Sequence, residues 1–256
     1  MRKPLLIMLG LFASWSAHAQ IPPGYVMTFD DEFSGTTLDL TKWSTGWAWS
    51  NGSGLNTDTY PNDEGLPGNI VVTGGVANFS VTKGPTPHRQ KYGTAVATTY
   101  GAHAPKFSQK CGYFEASIKL PANANGIWPA FWMVPVSFAW PPEIDIMEWH
   151  GSTPKINYMT LWWGTDSNPL YSTGTYTAPA PLSNGYHVYG MLWTSKEVTW
   201  YIDGVQRYKV TSNIPNVSMY IILNADTGYA AGGRFATLPS VMSVDYVRAY
   251  APPSCG

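Results

Sequence analysis

Glu143, Asp145 and Glu148 lie within six residues of one another, in a chain whose charged residues make up only 12% of the total. The residues between them, Ile144, Ile146 and Met147, are apolar, and Trp140 and Trp149 flank the run. Such a segment reads as a buried strand, where an unpaired carboxylate costs on the order of several kcal/mol. No Lys or Arg lies between Lys119 and Lys155, so local ion pairing is absent and only distant partners would make this a structural set of ion pairs. Chemistry is the better reading. Clustered carboxyls do not all ionise easily, so one keeps its proton near neutral pH and donates it while another attacks.

Spacing narrows the chemistry. Strand side chains alternate, so Glu143 and Asp145 share a face with Met147 while Glu148 points the other way. One extra residue near Ile146 or Met147, a β-bulge, brings Glu148 round to the same face, and bulges recur beside active sites for this reason. The outer α-carbons then lie roughly 13 Å apart, and inward-leaning glutamates close the carboxyl groups to about 5–6 Å. That gap suits a glycosidase pair in which one carboxylate attacks the sugar and the other protonates the leaving oxygen, with retention. An inverting pair is wider, to admit water.

The elements that position such a run are strands. Val76–Val81, Tyr113–Leu120, His187–Trp193 and Val198–Ile202 alternate or are rich in β-branched and aromatic residues. Gly74-Gly75 and Asn184-Gly185 punctuate them, and Asp203-Gly204 between two such runs predicts a two-residue hairpin. No long amphipathic helix and no internal repeat appears. Many strands in one unit predict an all-β sandwich of two stacked antiparallel sheets. Residues 45–68 and 172–183 read as loops; Trp47 and Trp49 in the first either rim a cleft or cap the core.

The run Glu143-x-Asp-x-x-Glu148 resembles the signature of the laminarinase-like, bulged branch of glycoside hydrolase family 16. Other segments resemble that family in the same order: Phe29-Asp-Asp-Glu-Phe33 with Trp43, Gly112–Pro121, Trp128-Pro-Ala-Phe-Trp-Met133, Trp200-Tyr-Ile-Asp-Gly204, Ile221–Asn224 and Val244–Arg248. The likeness runs from about residue 25 to 250. It implies a concanavalin-like jelly roll whose concave sheet forms the cleft. It further implies a secreted, retaining endo-β-glycosidase acting on a neutral β-1,3 or mixed β-1,3-1,4 glucan. Glu143 would be nucleophile, Glu148 general acid and then base, and Asp145 would tune the nucleophile. Trp128, Trp132, Trp140, Trp162 and Asn224 would line the substrate site. Glu32, Gly75 and Asp245 match positions that hold a structural Ca²⁺ in some members, and catalysis itself needs no cofactor. Departures are Trp162 where a His is usual, Pro142 where a Gly precedes the nucleophile, and Ala95–Thr99 where a basic residue is common. They bear on linkage preference rather than on the carboxylates. Transglycosylation, galactan hydrolysis and a non-catalytic carbohydrate-binding sandwich are the rival readings; the last has no need of three carboxylates at this spacing.

Composition agrees with a polysaccharide partner. Twelve Trp and sixteen Tyr exceed what one core takes, which leaves aromatic faces for flat sugar rings. A formal net charge of −1 offers no basic stripe for nucleic acid or strongly anionic polymers. Arg2 and Lys3, the apolar stretch Leu5–Ala13 and Ala17-His-Ala19 read as a secretory leader over 1–19, ahead of a single catalytic domain over 20–256. The leader's apolar stretch is too short to span a bilayer, so no membrane partner is expected, and the mature chain is expected to be a monomer. Cys111 and Cys255 would bridge in an oxidising compartment, or stand as two unrelated thiols.

Overall fold

The computed structural model describes residues 21–56, 62–122, 124–228 and 237–255, so the expected leader lies outside it. The chain opens with β1 (Val26–Asp31), β2 (Ser44–Thr45), β3 (Asp63–Gly65), β4 (Ile70–Thr73) and β5 (Val76–Lys83). Next come β6 (Tyr92–Thr98), β7 (Gly112–Lys119), β8 (Trp128–Pro135), β9 (Glu143–Trp149) and β10 (Ile156–Thr165). The remainder are β11 (Asn168–Thr177), β12 (His187–Trp193), β13 (Val198–Ile202), β14 (Val205–Val210), β15 (Met219–Asp226) and β16 (Ser240–Ala251).

One sheet runs β11-β10-β9-β8-β15-β6, and the other runs β5-β16-β7-β12-β13-β14. They join where the ends of β5 and β6 pair, Thr82 with Gly93 and Lys83 with Tyr92. At the far edge the Arg207 guanidinium of β14 lies 3.9 Å over the Tyr176 ring of β11. Gly174 there leaves room for Tyr208, whose ring a Cβ would strike. The result is the two-sheet jelly-roll sandwich that the sequence predicts. Among the described pairings only β3 with β6 is parallel.

The core fills the space between the sheets. Phe131, Met133, Ile144, Met147, Leu161 and Ile221 from one sheet meet Phe114, Ile118, Met191, Trp193, Trp200 and Val247 from the other, all fully buried. Each such side chain contributes roughly 1.5–3 kcal/mol of burial. With one face committed inward, alternate residues of β8, β9, β10 and β15 face out from the sandwich together. The Asp203-Gly204 hairpin forms as expected, with φ of 52° and 73° at the two central residues.

The 172–183 loop expectation fails over its first half, because Ser172–Thr177 belong to β11. This edge strand has no buried residue, so it carries no hydrophobic alternation to betray it. Within 45–68 the structure places the short β3, while 57–61 lie outside the described residues. Cys111 and Cys255 are bridged, with α-carbons 5.8 Å apart, tying the chain's end to the start of β7.

Candidate active site

The three carboxylates share one strand and, through a bulge, one face. Against β10, Glu148 pairs with Tyr158 and Asp145 with Thr160, so three steps on β9 match two on its partner. Against β8, Phe131 meets Met147 and the next residue, Trp132, already meets Asp145. The β10 register puts the extra residue at Ile146 or Met147, and the β8 register fixes it at Ile146. Ile146 and Met147 both turn inward, 2% and 0% exposed, which sends Glu148 out beside Glu143 and Asp145. All three line a cavity of about 790 Å³ on the outer face of this sheet.

Each carboxyl accepts a hydrogen bond from a different tryptophan. Trp140 Nε1 donates to Glu143 Oε2 at 2.9 Å, Trp162 Nε1 to Asp145 Oδ2 at 3.1 Å, and Trp128 Nε1 to Glu148 Oε1 at 3.1 Å. None of the ion pairs among the described residues involves these carboxyls. The site is thus apolar walls with donor-only indoles aimed at acids. Such donors favour the ionised form without supplying charge.

Burial dominates the proton affinities. Desolvation pushes Glu143 up to about 7, while hydrogen bonds from Asp145 and Trp140 hold it down. Desolvation, then the Glu143 charge, raises Glu148 to about 8 against the Trp128 donor. Asp145 rises well above the usual range through desolvation and then its two neighbours. Asp145 is thereby driven toward its protonated form, the form that donates to Glu143. Glu143 is the first of the outer pair to ionise, and Glu148 still holds a proton.

The expected aromatic wall divides into parts. Trp128, Trp132, Trp140 and Trp162 all line the cavity, the first two on the cleft face of β8. Asn224 does not: it is 1% exposed and sits behind the wall, accepting from Trp132 Nε1 at 2.6 Å and donating to Asp226 Oδ2 at 2.6 Å. As an amide on β15 beneath a large ring it supports the wall rather than forming it. Trp47 is buried, while Trp49, its ring 5.0 Å away, reaches the cavity rim. Sequence reasoning did not single out Tyr158, His150 or Tyr220 as lining residues. His150 stacks on Tyr158 with centroids 4.7 Å apart, and burial lowers its pKa, which leaves a neutral ring. Tyr220 is fully buried with its hydroxyl unpartnered among the described residues. Alternation from Asn224 along β15 was the available signal for it.

The calcium expectation, which draws partly on backbone carbonyls, finds no cluster of metal-binding side chains among the described residues. β1 and β5 lie end to end along β16, Asp31 pairing with Val247 and Ala77 with Val244, which brings Glu32, Gly75 and Asp245 toward one region. Yet Glu32 spends both oxygens on Arg248, at 2.7 and 2.9 Å.

Comparisons with known proteins agree with this geometry. The endo-1,3-1,4-beta-glycanase ExsH of Rhizobium meliloti (strain 1021) is 31% identical over 248 residues, covering 87% of this chain and 51% of that protein. Glucan endo-1,3-beta-glucosidase A1 of Niallia circulans is 33% identical over 270 residues, covering 89% and 38%. The chain thus spans about half the length, or less, of these two relatives. The solved endo-beta-1,3-glucanase of Pyrococcus furiosus superposes with a TM-score of 0.74 at 27% identity, covering 89% of this chain and 94% of that one. The family model described as glycosyl hydrolases family 16 matches residues 68–248, and the chain belongs to that family.

Proposed function

We propose that the protein is a retaining endo-β-glucanase that cleaves internal linkages of a neutral β-glucan. The observation that carries this is the Ile146 bulge, which turns three carboxyls of one strand into a single aromatic cleft. Glu143, ionised, attacks the anomeric carbon while protonated Glu148 gives its proton to the departing glycosidic oxygen. The bond to the aglycone breaks as the Glu143–sugar ester forms. Glu148, now a carboxylate, takes a proton from water, which attacks the same carbon and returns Glu143 as a carboxylate. No cofactor enters either step.

Neutral substrate follows from the walls, since no Lys or Arg lines the cavity among the described residues. The glucan reading takes its support from the relatives' names. Export of the mature chain, after removal of the leader, belongs to the same proposal and is supported by the Cys111–Cys255 bridge, of a kind that persists in oxidising compartments.

Proton NMR of the anomeric region, in the first minutes of digestion of laminarin and mixed-linkage β-glucan, tests the mechanism. The β-anomer is expected first; α-anomer first would overturn the double displacement. Including agarose and carrageenan in the same panel tests the substrate, because cleavage of carrageenan at a rate matching the best glucan contradicts the neutral cleft.

A further inference from the structure

Trp162 stands directly opposite Glu143 in the β9–β10 register, yet its indole N–H goes to Asp145. Its ring is held between two others. Trp140 lies with its centroid 5.6 Å away and Tyr171, from the edge strand β11, at 4.8 Å. Trp140 in turn donates to Glu143. A ring so flanked is a poor free face for a sugar and a well-fixed donor.

We infer that Trp162 is a positioning residue of the reaction: it decides which Asp145 oxygen carries the proton and thereby directs that proton at Glu143. The argument is one of valence. An indole N–H donates and never accepts. Oδ2 accepts this donor, and a carbonyl oxygen accepts better than a hydroxyl, so the indole favours the proton on Oδ1. A proton on Oδ1 is then free to serve the hydrogen bond between Asp145 and Glu143. A fixed donor at Glu143 favours its ionised form, which is the form that attacks. The backbone reinforces this, because the Asp145 carbonyl is itself pinned by Trp200 Nε1 at 2.8 Å.

Few other groups can produce the same dependence on pH. The titratable groups facing this centre are Glu143 and Glu148 on β9, His150 just beyond it, Tyr158 on β10 and Tyr220 on β15. β8 presents Trp128 and Trp132, which do not titrate, and β11 presents Thr173 and the phenol of Tyr171, packed on the Trp162 ring. His150 is held neutral by burial.

The inference rests on the proposed roles of Glu143 and Asp145, and Glu143→Ala separates the two. The test is the pH dependence of kcat and KM for Trp162→Phe and Trp162→His on a soluble β-glucan. Phe keeps a ring and loses the donor; neutral His keeps an N–H. Trp162→Phe is expected to lower kcat about tenfold while KM stays within about threefold, the pattern of a lost transition-state interaction. Its acid limb should move up by about one pH unit, a tenfold gain in Glu143 proton affinity. Trp162→His should bring the limb back toward its wild-type position. A raised KM with an unmoved limb would make Trp162 a sugar platform and overturn the inference alone. Turnover persisting in Glu143→Ala would overturn it together with the reading beneath it.

Discussion

Trp200 on β13 reaches across the core to donate its Nε1 hydrogen to the backbone carbonyl of Asp145 on β9, at 2.8 Å. The contact links the two sheets at the residue just before the bulge. A bulge leaves a backbone group out of the ladder, and a buried carbonyl without a partner costs free energy. The indole gives the Asp145 carbonyl a partner from the opposite sheet, beside the distortion that gathers the carboxylates.

Trp200→Phe should therefore destabilise the protein while leaving the ring's packing largely in place. The orphaned carbonyl costs about 1–3 kcal/mol. For a domain of this size that is a fall in Tm of roughly 2–4 °C per kcal/mol. Calorimetry at pH 6 checks it, and a Tm equal to wild type would mean that the bulge is held by other contacts.

Asn224 should act through Trp132. Asn224→Ala removes the 2.6 Å bond that fixes the indole, and the same change is made by Trp132→Phe from the other side. Both variants are expected to raise KM for a long glucan by about three- to tenfold with little loss of kcat, since uniform binding is what is lost. The double variant should be no worse than either single one, because residues that share one interaction do not add. Additive losses would show that Asn224 works on its own.

The gathering of the three carboxylates was legible in sequence to the depth of one strand. Three carboxylates at this spacing demand a shared face, and the bulge followed from alternation alone, down to Ile146 or Met147. What lay deeper required the sheet order. Trp128, Trp140 and Trp162 were named as sugar-binding faces, but which indole reaches which acid depends on β8, β9 and β10 lying side by side, a tertiary fact. Asn224 had the same parity on its strand as a cleft residue and is covered by a larger neighbour. Trp47 and Trp49 read alike, two residues apart in one polar loop; both meet Trp132, and only Trp47's burial in the cluster with Val96, Tyr220 and Ile222 separates it from the rim ring. β11 escaped because it buries nothing.

The pH–rate profile should be a bell in the neutral to weakly alkaline range. Its acid limb reports Glu143 losing its proton and its basic limb Glu148 losing its own, from groups that burial raises to about 7 and about 8. The two carboxyls interact, so the limbs belong to the pair. An aryl β-glucoside oligomer whose leaving group needs no proton should retain the acid limb and lose the basic one in the first step. A basic limb of the same position with that substrate would remove Glu148 from the acid role.

The last prediction concerns stability, and its sign follows from the direction of the Glu148 shift. Desolvation raises this carboxyl from an ordinary 4.5 to about 8 in the folded protein. Between those values the folded chain binds a proton that the unfolded chain has released, so stability falls as pH rises through the window. Below the ordinary carboxylate range both states are protonated and nothing is lost. Glu148→Gln keeps an oxygen for the Trp128 N–H and removes the titration. It should abolish nearly all turnover on glucan, leave Tm unchanged at pH 4, and raise Tm above wild type by on the order of 10 °C at pH 8, at roughly 2–4 °C per kcal/mol. A catalytic acid kept protonated by burial is a standing cost to the fold, and its removal returns that stability. Parallel Tm–pH curves for the two proteins would show that Glu148 titrates as a surface carboxylate, and the acid of this site would have to be sought elsewhere.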